Sequence, residues 1–564
     1  MRVNSVIAVL VVSCAAACTA CTSTAGSERG QSPGGPGFPA IDAAKILEHT
    51  RVLASDEYEG RFPGTKGEEL TVRYIADQFR AAGFAPGNTD GTYFQEVPLV
   101  GITPDPSAAL VLSNGREERS LRFKDDFVAW TKRMTETVSL DRSELVFAGY
   151  GVQAPEFGWD DFKGADLKGK TLIVLIGDPP VPDPANPSQL DPKVFAGRGM
   201  TYYGRWSYKF EMAQQLGAAG MFIVHETGPA DYAYSVVQVK TAEQLEIARP
   251  DRNMTRAAVE GWLPLEQAQA LFAMAGRDLA EMKKAALSRD FKPVPLGATA
   301  SITLRNTVRT VRSRNVIARL EGSDPKLKDE VVVYSSHWDA FGIGAEIGGE
   351  RVYHGAKDNA VAVAGMIEIG RAFAAGPRPK RSIVLLAVTA EEQLLLGSMY
   401  YAQNPVYPLA KTLANINLEM LNVHGPTRDL TIIGLGLSDL DDYARDVLAL
   451  QGRTLRPDPE PEKGMYYRSD HFSFAREGVP ALEPEEGVDF IGKPAGFAAQ
   501  VRAAFIANDY HKPSDKVKPD WDLSGGVKDL QAYWLIGYRV AQTDKFPEWK
   551  PGVEYRARRE KMLR

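Results

Sequence analysis

Apolar, strand-like segments in the second half of the chain repeatedly end in histidine or carboxylate residues. Two further segments, 361–374 and 440–450, show the apolar spacing of amphipathic helices. From about residue 300 onward, this alternation predicts an α/β fold with a mixed central sheet flanked by helices. The segments with the composition of buried strands are 331–334, 383–388, 413–418, 430–433 and 479–482.

The polar residues that follow these segments predict a functional site. Ligands in open α/β sheets gather at the carboxyl ends of the strands, so we expect these residues to meet in one crevice. Clustered, buried acids repel one another unless a cation neutralises them, and a pair of divalent metal ions would do so. The residues are His337 and Asp339, Asp358 and Asn359 (expected as an N-cap pair), Glu391 and Glu392, Glu419, and, in a later polar loop, Tyr510 and His511.

The order of these motifs resembles the M28 family of co-catalytic zinc peptidases. The resemblance rests on five phrases, supported by Gly397-Ser398 and by Arg468-Ser-Asp-His471. The five phrases are His337-x-Asp339, Asp358-Asn359, Glu391-Glu392, Asn417-Leu-Glu419-Met and Tyr510-His511.

The resemblance implies a role for each of these residues. Two zinc ions would be bridged by Asp358, with His337 and Glu419 completing one site and Glu392 and His511 the other. Glu391 would be the general base, Asp339 would orient the His337 imidazole, and Tyr510 or Tyr467 would donate a hydrogen bond to the oxyanion. Many members have Asp at the position of Glu419. His471 is expected to line the pocket or to be structural rather than to bind metal.

The same resemblance implies an aminopeptidase that acts on peptides, with four alternatives. A carboxypeptidase would need cations for the terminal carboxylate, and Arg468 is one candidate. The others are a dipeptidase, a glutaminyl cyclase, which binds one zinc, and a non-catalytic receptor-like relative, which would have lost metal ligands.

The region before residue 290 has a different texture, with short β-branched runs broken by Gly, Pro and Asp. It resembles the protease-associated (PA) domain that some M28 members carry as an insertion. We expect residues 41–140 and 291–550 to form the peptidase domain, 141–290 the PA-like insert and 551–564 a C-terminal tail. Within the insert, a single helix is expected over 264–287, and Tyr202, Arg205, Trp206 and Tyr208 are candidate contacts at the crevice rim.

The first residues resemble an export signal, because Arg2 precedes a short apolar run over 3–17. We expect a signal peptide over 1–21, with the lipoprotein type as one alternative, and a flexible linker over 22–40. The cysteines Cys14, Cys18 and Cys21 all fall in the signal, so disulfides and thiol catalysis are excluded from the rest of the chain. Lipidation on a cysteine would attach the protein to a membrane, in the periplasm or at the outer membrane. Plain secretion is the alternative.

The charge balance gives no indication of a nucleic-acid partner. The 564 residues carry 66 Lys and Arg against 72 Asp and Glu, a net charge of −6. The sequence leaves the oligomeric state open.

Overall fold

The computed structural model describes residues 36–238 and 242–564, so the expected signal peptide and most of the expected linker lie outside the described residues. The helices are α1 Ala43–Leu53, α2 Lys66–Ala81, α3 Trp206–Gln215, α4 Thr227–Ala230, α5 Tyr234–Gln238, α6 Leu265–Met274, α7 Leu279–Ala285, α8 Val361–Ala375, α9 Leu396–Gln403, α10 Leu440–Leu450, α11 His471–Arg476, α12 Phe497–Asn508, α13 Ser524–Gln542 and α14 Arg556–Leu563.

The strands alternate with these helices mainly in the second half of the chain. They are β1 Ala85–Pro86, β2 Phe94–Pro104, β3 Ala109–Ser113, β4 Glu118–Arg122, β5 Val128–Trp130, β6 Thr137–Phe147, β7 Gln153–Ala154, β8 Trp159–Asp160, β9 Thr171–Leu175, β10 Pro182–Asp183, β11 Asn186–Leu190, β12 Gly220–His225, β13 Gln244–Ile247, β14 Val259–Pro264, β15 Val294–Leu320, β16 Val331–His337, β17 Gly342–Ile347, β18 Glu350–Tyr353, β19 Ser382–Val388, β20 Thr412–Asn417, β21 Asp429–Ile433, β22 Thr454–Pro457 and β23 Ala481–Glu485.

A mixed sheet forms the centre of the fold, as the sequence predicts. Its strands pair in the order β13-β2-β15-β19-β16-β20-β23-β21-β22. The four strands β19, β16, β20 and β23 run parallel, while β15 and β21 run antiparallel to their neighbours in this group. The carboxyl ends of β19, β16 and β20 therefore lie side by side.

Helices cover both faces of this sheet. Val332 and Tyr334 of β16 face one core with α1, α2, α8, α10 and α13, whereas Val331 and Val333 face the other core, with residues of α9 and α11. This continuous burial explains why the strand segments are apolar throughout rather than alternating. Helix α13 approaches closely, since a Cβ on Gly537 would lie 1.8 Å from the Tyr334 hydroxyl.

A second sheet shares the long strand β15 with the first. Its strands pair in the order β4-β3-β15-β6-β9-β12-β14-β5. The hydrophobic cluster around it runs from Leu110 to Leu304, a wider span than the 141–290 expected for an insert. The assignment of this region as a PA domain stays a prediction.

Three local expectations differ from the structure. The helix expected over 264–287 is two helices, α6 and α7, because Gly276 adopts a left-handed φ of +67° and Asp278 caps the second helix. Asp358 and Asn359 do not cap α8; they lie in an irregular turn before it, and their side chains point into the site described below. The expected C-terminal tail contains α14, whose buried Arg559 donates to the carbonyls of Leu409 and Thr412.

No helix within the described residues combines the length and the apolar character that crossing a bilayer requires.

Candidate metal centre

Three parallel strands bring the first ligands together at their carboxyl ends. His337 is the last residue of β16, which lies between β19 and β20. Glu391 and Glu392 follow the end of β19, and Glu419 follows the end of β20. The fold thus produces the convergence that the sequence predicts for strand ends.

The first group of possible ligands is His337, Asp358 and Glu419. The His337 Nε2 atom lies 3.2 Å from Asp358 Oδ1 and 3.1 Å from Glu419 Oε1. The longer side chain of Glu419, at a position where Asp is frequent in the resembled family, therefore still reaches this histidine. His337 is fully buried, and the two carboxylates are nearly so.

The second group is Asp358, Glu392 and His511, and it shares its aspartate with the first. The His511 Nε2 atom lies 3.4 Å from Asp358 Oδ2 and 3.2 Å from Glu392 Oε2. Asp358 thus offers one oxygen to each group, which is the position of a bridging ligand.

The spacing of the donor atoms fits metal ions. Ligand atoms about 2.0–2.1 Å from a tetrahedral zinc ion are roughly 3.3 Å apart, close to the separations in both groups. Two buried atoms, His511 Nε2 and Glu392 Oε1, have no hydrogen-bond partner among the described residues. Buried polar atoms without a partner are costly unless they coordinate something, so the residues fit a pair of ions.

Glu391 lies beside the first group without belonging to it. Its Oε2 atom is 3.9 Å from His337 Nε2. Asp339 orients both neighbours: its carboxylate accepts hydrogen bonds from the Glu391 and Glu392 amides at 3.0 and 3.3 Å. The backbone oxygen of Asp339 lies 3.2 Å from His337 Nδ1.

The loop that carries Asp358 is held by Asn359 and by Asp515, a residue that sequence reasoning missed. Asp515, four residues after His511, accepts hydrogen bonds from the amides of Lys357 and Asp358 at 2.9 and 3.0 Å. Asn359 donates to the carbonyl of Leu418 at 3.1 Å, which ties the same loop to the end of β20. The position of Asp515 in the polar loop of His511 is the only signal in the sequence.

Arg61 is a second missed residue. It is fully buried and donates to four backbone carbonyls at 2.7–2.8 Å instead of pairing with an acid; the acceptors are those of Leu53, Trp338, His354 and Gly355. Burial lowers the pKa of Arg61 to about 10, while Asp515, Asp339, Asp358 and Glu392 act in the opposite direction. Arg61 therefore links the segment after His337 to the segment before Asp358.

A series of hydrogen-bonded side chains supports Glu419. Ser469 donates to Glu419 Oε2 at 2.9 Å and accepts from Asn417 Nδ2 at 2.7 Å. Behind them lie Asp470, His471 and Glu483, whose side-chain polar atoms are buried without hydrogen-bond partners among the described residues. His471 Nδ1 is 3.1 Å from Glu483 Oε2, and neither metal-ligand group includes His471.

The electrostatics of the protein without metal show how strongly acidic the site is. Burial raises the pKa of Glu392 to about 7 and that of Glu391 well above its usual value. Burial alone would lower the pKa of both histidines, but the surrounding carboxylates outweigh it, so the pKa of His511 rises to about 9 and that of His337 rises well above its usual value. Bound cations would remove this repulsion between the acids.

The structure separates the two tyrosines proposed as oxyanion donors. Tyr510 lines the same cavity as Asp358, Glu391 and Glu419, with its ring stacked on His511 at 3.6 Å. Tyr467 packs instead against Tyr202 and Phe472.

The four candidate rim residues differ in what they pack against. Trp206 packs against Trp130, Phe210 and Trp262 in the hydrophobic cluster of the second sheet. Tyr208 packs against Tyr202 and Tyr203. Tyr202 packs across to Tyr467 and Phe472. The Nε atom of Arg205 is buried without a hydrogen-bond partner among the described residues.

Comparison with known proteins agrees with this geometry. Residues 315–535, which contain every ligand of both groups, match the family model "Peptidase family M28". Among curated proteins, the chain is 26% identical over 271 residues to a "Probable glutamate carboxypeptidase" of Arthroderma benhamiae, covering 44% of this chain and 33% of that protein. It is 38% identical over 116 residues to a "Probable zinc metalloprotease" of Pyricularia oryzae, covering 19% and 22%. The chain thus spans a third or less of these curated relatives.

Among solved structures, the aminopeptidase from Aneurinibacillus sp. strain AM-1 is similar over 90% of this chain and 95% of its own, with 18% identity and a TM-score of 0.49.

Proposed function

We propose that residues 315–535, which match the family model of peptidase family M28, form a catalytic domain of that family and that the protein is a metallo-aminopeptidase. It would hydrolyse the N-terminal peptide bond of peptides with two zinc ions. The observation that carries the proposal is the pair of ligand groups that share Asp358, with Glu391 beside them but in neither group. Both groups are complete, which favours a two-ion peptidase over a one-zinc cyclase or a receptor-like relative.

The chain's own residues supply the remaining chemistry. When bound, the two ions would lower the pKa of a water molecule and polarise the scissile carbonyl. Glu391 would take the proton of the attacking water and deliver it to the leaving amine. Asp339 holds the backbone of Glu391 in place, and the Tyr510 hydroxyl can donate to the carbonyl oxygen as negative charge develops there.

The walls of the cavity favour binding of an amino terminus. Glu391 and Glu419 line the cavity near the metal ligands, and Glu483 and Glu485 extend its acidic wall. The Oε1 atom of Glu483 is buried without a hydrogen-bond partner in the described part of the chain, whereas its Oε2 atom lies 3.1 Å from His471 Nδ1. A substrate ammonium group would find several acceptors here. The presence of Arg468 in the same cavity keeps a carboxypeptidase or dipeptidase as the second candidate.

A matched pair of substrates tests the proposal. We expect chelator-sensitive hydrolysis of leucine p-nitroanilide, restored by zinc, and no hydrolysis of its N-acetylated form. Glu391→Gln should keep its zinc and lose activity by about 10²–10⁴-fold, since a general base is removed. Equal hydrolysis of both substrates would contradict an aminopeptidase, as would full activity of Glu391→Gln.

We also propose that the protein is exported, with a lipidated cysteine as one form of attachment. The apolar run after Arg2 and the confinement of every cysteine to residues 14–21 support this. Expression of the full chain followed by fractionation and N-terminal mass analysis tests it. An unprocessed N-terminus in the cytoplasmic fraction would contradict export.

A further inference from the structure

Two glutamates of β23, Glu483 and Glu485, line the metal-centre cavity without belonging to either ligand group. β23 runs parallel to β20, and the register of the two strands places Glu483 beside Asn417, two residues before the ligand Glu419. The side chains of Glu483 and Glu485 leave their strand on the same face, because the two residues are two positions apart. The cavity therefore has an acidic wall beyond the residues that would hold the metal ions.

Glu483 is deeply buried and has no cationic partner of its own. It is 2% exposed, and its Oε1 atom has no hydrogen-bond partner among the described residues. The one ion-pair contact that these residues offer is His471, whose Nδ1 lies 3.1 Å from Oε2. Burial lowers the pKa of His471 to about 3, so the ring is neutral and does not balance the carboxylate. A buried carboxylate without a cation is costly, and a cation supplied by a ligand would remove that cost.

The two arginines near this wall leave Glu483 unpaired. Arg502 of α12 faces Glu485, with 3.6 Å between its Nη2 atom and Glu485 Oε2. Arg468 lines the same cavity, but within the described ranges it lies outside ion-pair distance of both glutamates. Glu485 is thus partly neutralised by the protein itself, whereas Glu483 remains available to a ligand.

The same cavity also has an apolar part, formed by two methionines. Met420 follows the ligand Glu419 directly, and Met465 lies shortly before α11. Methionine side chains are unbranched and adapt to the shape of what they contact. The stem of a lysine or arginine side chain packs well against such apolar surface while its charged end needs a polar partner. Methionines and an unpaired acid in one cavity suit a side chain of this kind.

We propose that this cavity takes the side chain of the substrate's first residue and that Glu483 binds the cationic end of a lysine or arginine there. A hydrogen bond between a cation and a buried carboxylate is among the strongest that proteins form. The inference rests on the proposed aminopeptidase function and names its substrate class: peptides with a basic N-terminal residue. The α-ammonium group would lie nearer Glu391, which is 3.9 Å from the ligand His337.

Two pairs of substrates test the proposal, each pair differing only at the end of the first side chain. With the zinc-loaded enzyme, we compare kcat/KM for the p-nitroanilides of lysine and norleucine, and for those of arginine and citrulline. We expect a preference of about 10-fold or more for the charged member of each pair. Ratios near one in both pairs overturn the proposal.

Variants assign the preference to Glu483 and distinguish the two ammonium groups of lysine. Glu483→Gln keeps the size of the side chain and should lower the lysine-to-norleucine ratio by about 10-fold. Glu485→Gln should lower it less, because Arg502 already faces that residue. Glu266→Gln, an exposed position of α6, is the matched control and should leave the ratio unchanged. If Glu483→Gln slows both substrates equally, Glu483 acts on the α-ammonium group and the proposal is overturned, as it is if neither substrate is affected.

A binding measurement separates this inference from the proposed function. Zinc-loaded Glu391→Gln should bind lysine amide more tightly than norleucine amide in a calorimetric titration. If the wild type hydrolyses no aminoacyl p-nitroanilide but this difference persists, the proposed function fails and the site for a basic side chain stands. If p-nitroanilides are hydrolysed and the difference is absent, the site for a basic side chain fails alone.

Discussion

At the scale of single residues, Asp339 connects the two halves of the metal centre. Its carboxylate holds the amides of Glu391 and Glu392, and its backbone oxygen faces the His337 ring. One residue thus contacts the proposed base and a ligand from each group. Residues that orient metal ligands in this way commonly affect metal affinity and activity together.

We predict that Asp339→Ala lowers kcat and zinc affinity by about 10–100-fold each. The cause is the loss of both acceptors for the Glu391 and Glu392 amides. Asp339→Asn, which keeps one acceptor oxygen, should be less affected. Zinc affinity by competition with a chromophoric chelator, measured beside kcat, tests this. Unchanged zinc affinity in Asp339→Ala would contradict the positioning role.

The convergence of the candidate ligands could be predicted from the sequence, but several residues that hold them in place could not. His337 ends an apolar strand, and Glu392 and Glu419 come within four residues of the ends of two others, so their type and place are visible in the chain. Asp515 and Arg61 act on backbone amides and carbonyls, and such contacts leave no pattern of side-chain types.

At the scale of elements, the metal centre depends on irregular segments fixed by Arg61. Its four carbonyl bonds connect the turn after α1 to the loops that follow β16 and β18. A buried guanidinium with no carboxylate partner is costly, and the carbonyls that replace water make it tolerable.

We predict that Arg61→Met lowers the free energy of unfolding by about 3–5 kcal/mol, because it leaves several buried carbonyls without donors. Arg61→Lys should recover only part of this free energy of unfolding, since an ammonium cannot reach all four acceptors. Arg73→Met, on the exposed face of α2, is the control and should change stability by less than about 0.5 kcal/mol. Urea unfolding measures all three. A loss below about 1 kcal/mol in Arg61→Met would contradict this role.

The regular elements were the most predictable part of the fold. The apolar runs at β16, β19 and β20 and the helical spacing in α8 and α10 match the observed elements within a few residues. Predictions failed where one residue changes the backbone locally. Gly276 divides the helix expected over 264–287, and Asp358 leaves helical geometry so that its carboxylate can face both histidines.

At the scale of the whole molecule, the two sheets are joined by β15 and by a buried ionic group. Glu246 lies on β13, at the edge of the central sheet. It is 2.8 Å from Lys132 and 3.3 Å from Arg256, which lie next to strands β5 and β14 of the second sheet. Burial alone would raise the pKa of Glu246, but Lys132 and Arg256 outweigh it, so the pKa falls from 4.5 to about 2.

This group predicts a pH dependence of stability. Because the pKa of Glu246 is lower in the folded than in the unfolded chain, its contribution is complete above about pH 4.5 and is lost as the pH falls toward 2. Glu246→Gln should lower the free energy of unfolding at pH 7 by about 3–5 kcal/mol, since the buried Lys132 loses its partner and Arg256 keeps only Glu260 as an ion-pair partner, at 3.8 Å. Between pH 4.5 and 2, the free energy of unfolding should also fall less in the variant than in the wild type.

Unfolding free energies of both proteins at a series of pH values check this, with the exposed Glu266→Gln as the control. The same pH profile in wild type and Glu246→Gln would show that the ionic group does not contribute.

The central claim is a two-ion centre bridged by Asp358, and a zinc titration of the metal-free protein tests it most directly. Bound zinc is counted by mass spectrometry while hydrolysis of leucine p-nitroanilide is followed in the same samples. We predict that activity saturates at two zinc ions per chain and that Asp358→Asn binds fewer and remains inactive. Activity that is complete at one ion, or that persists in the metal-free protein, would contradict the account.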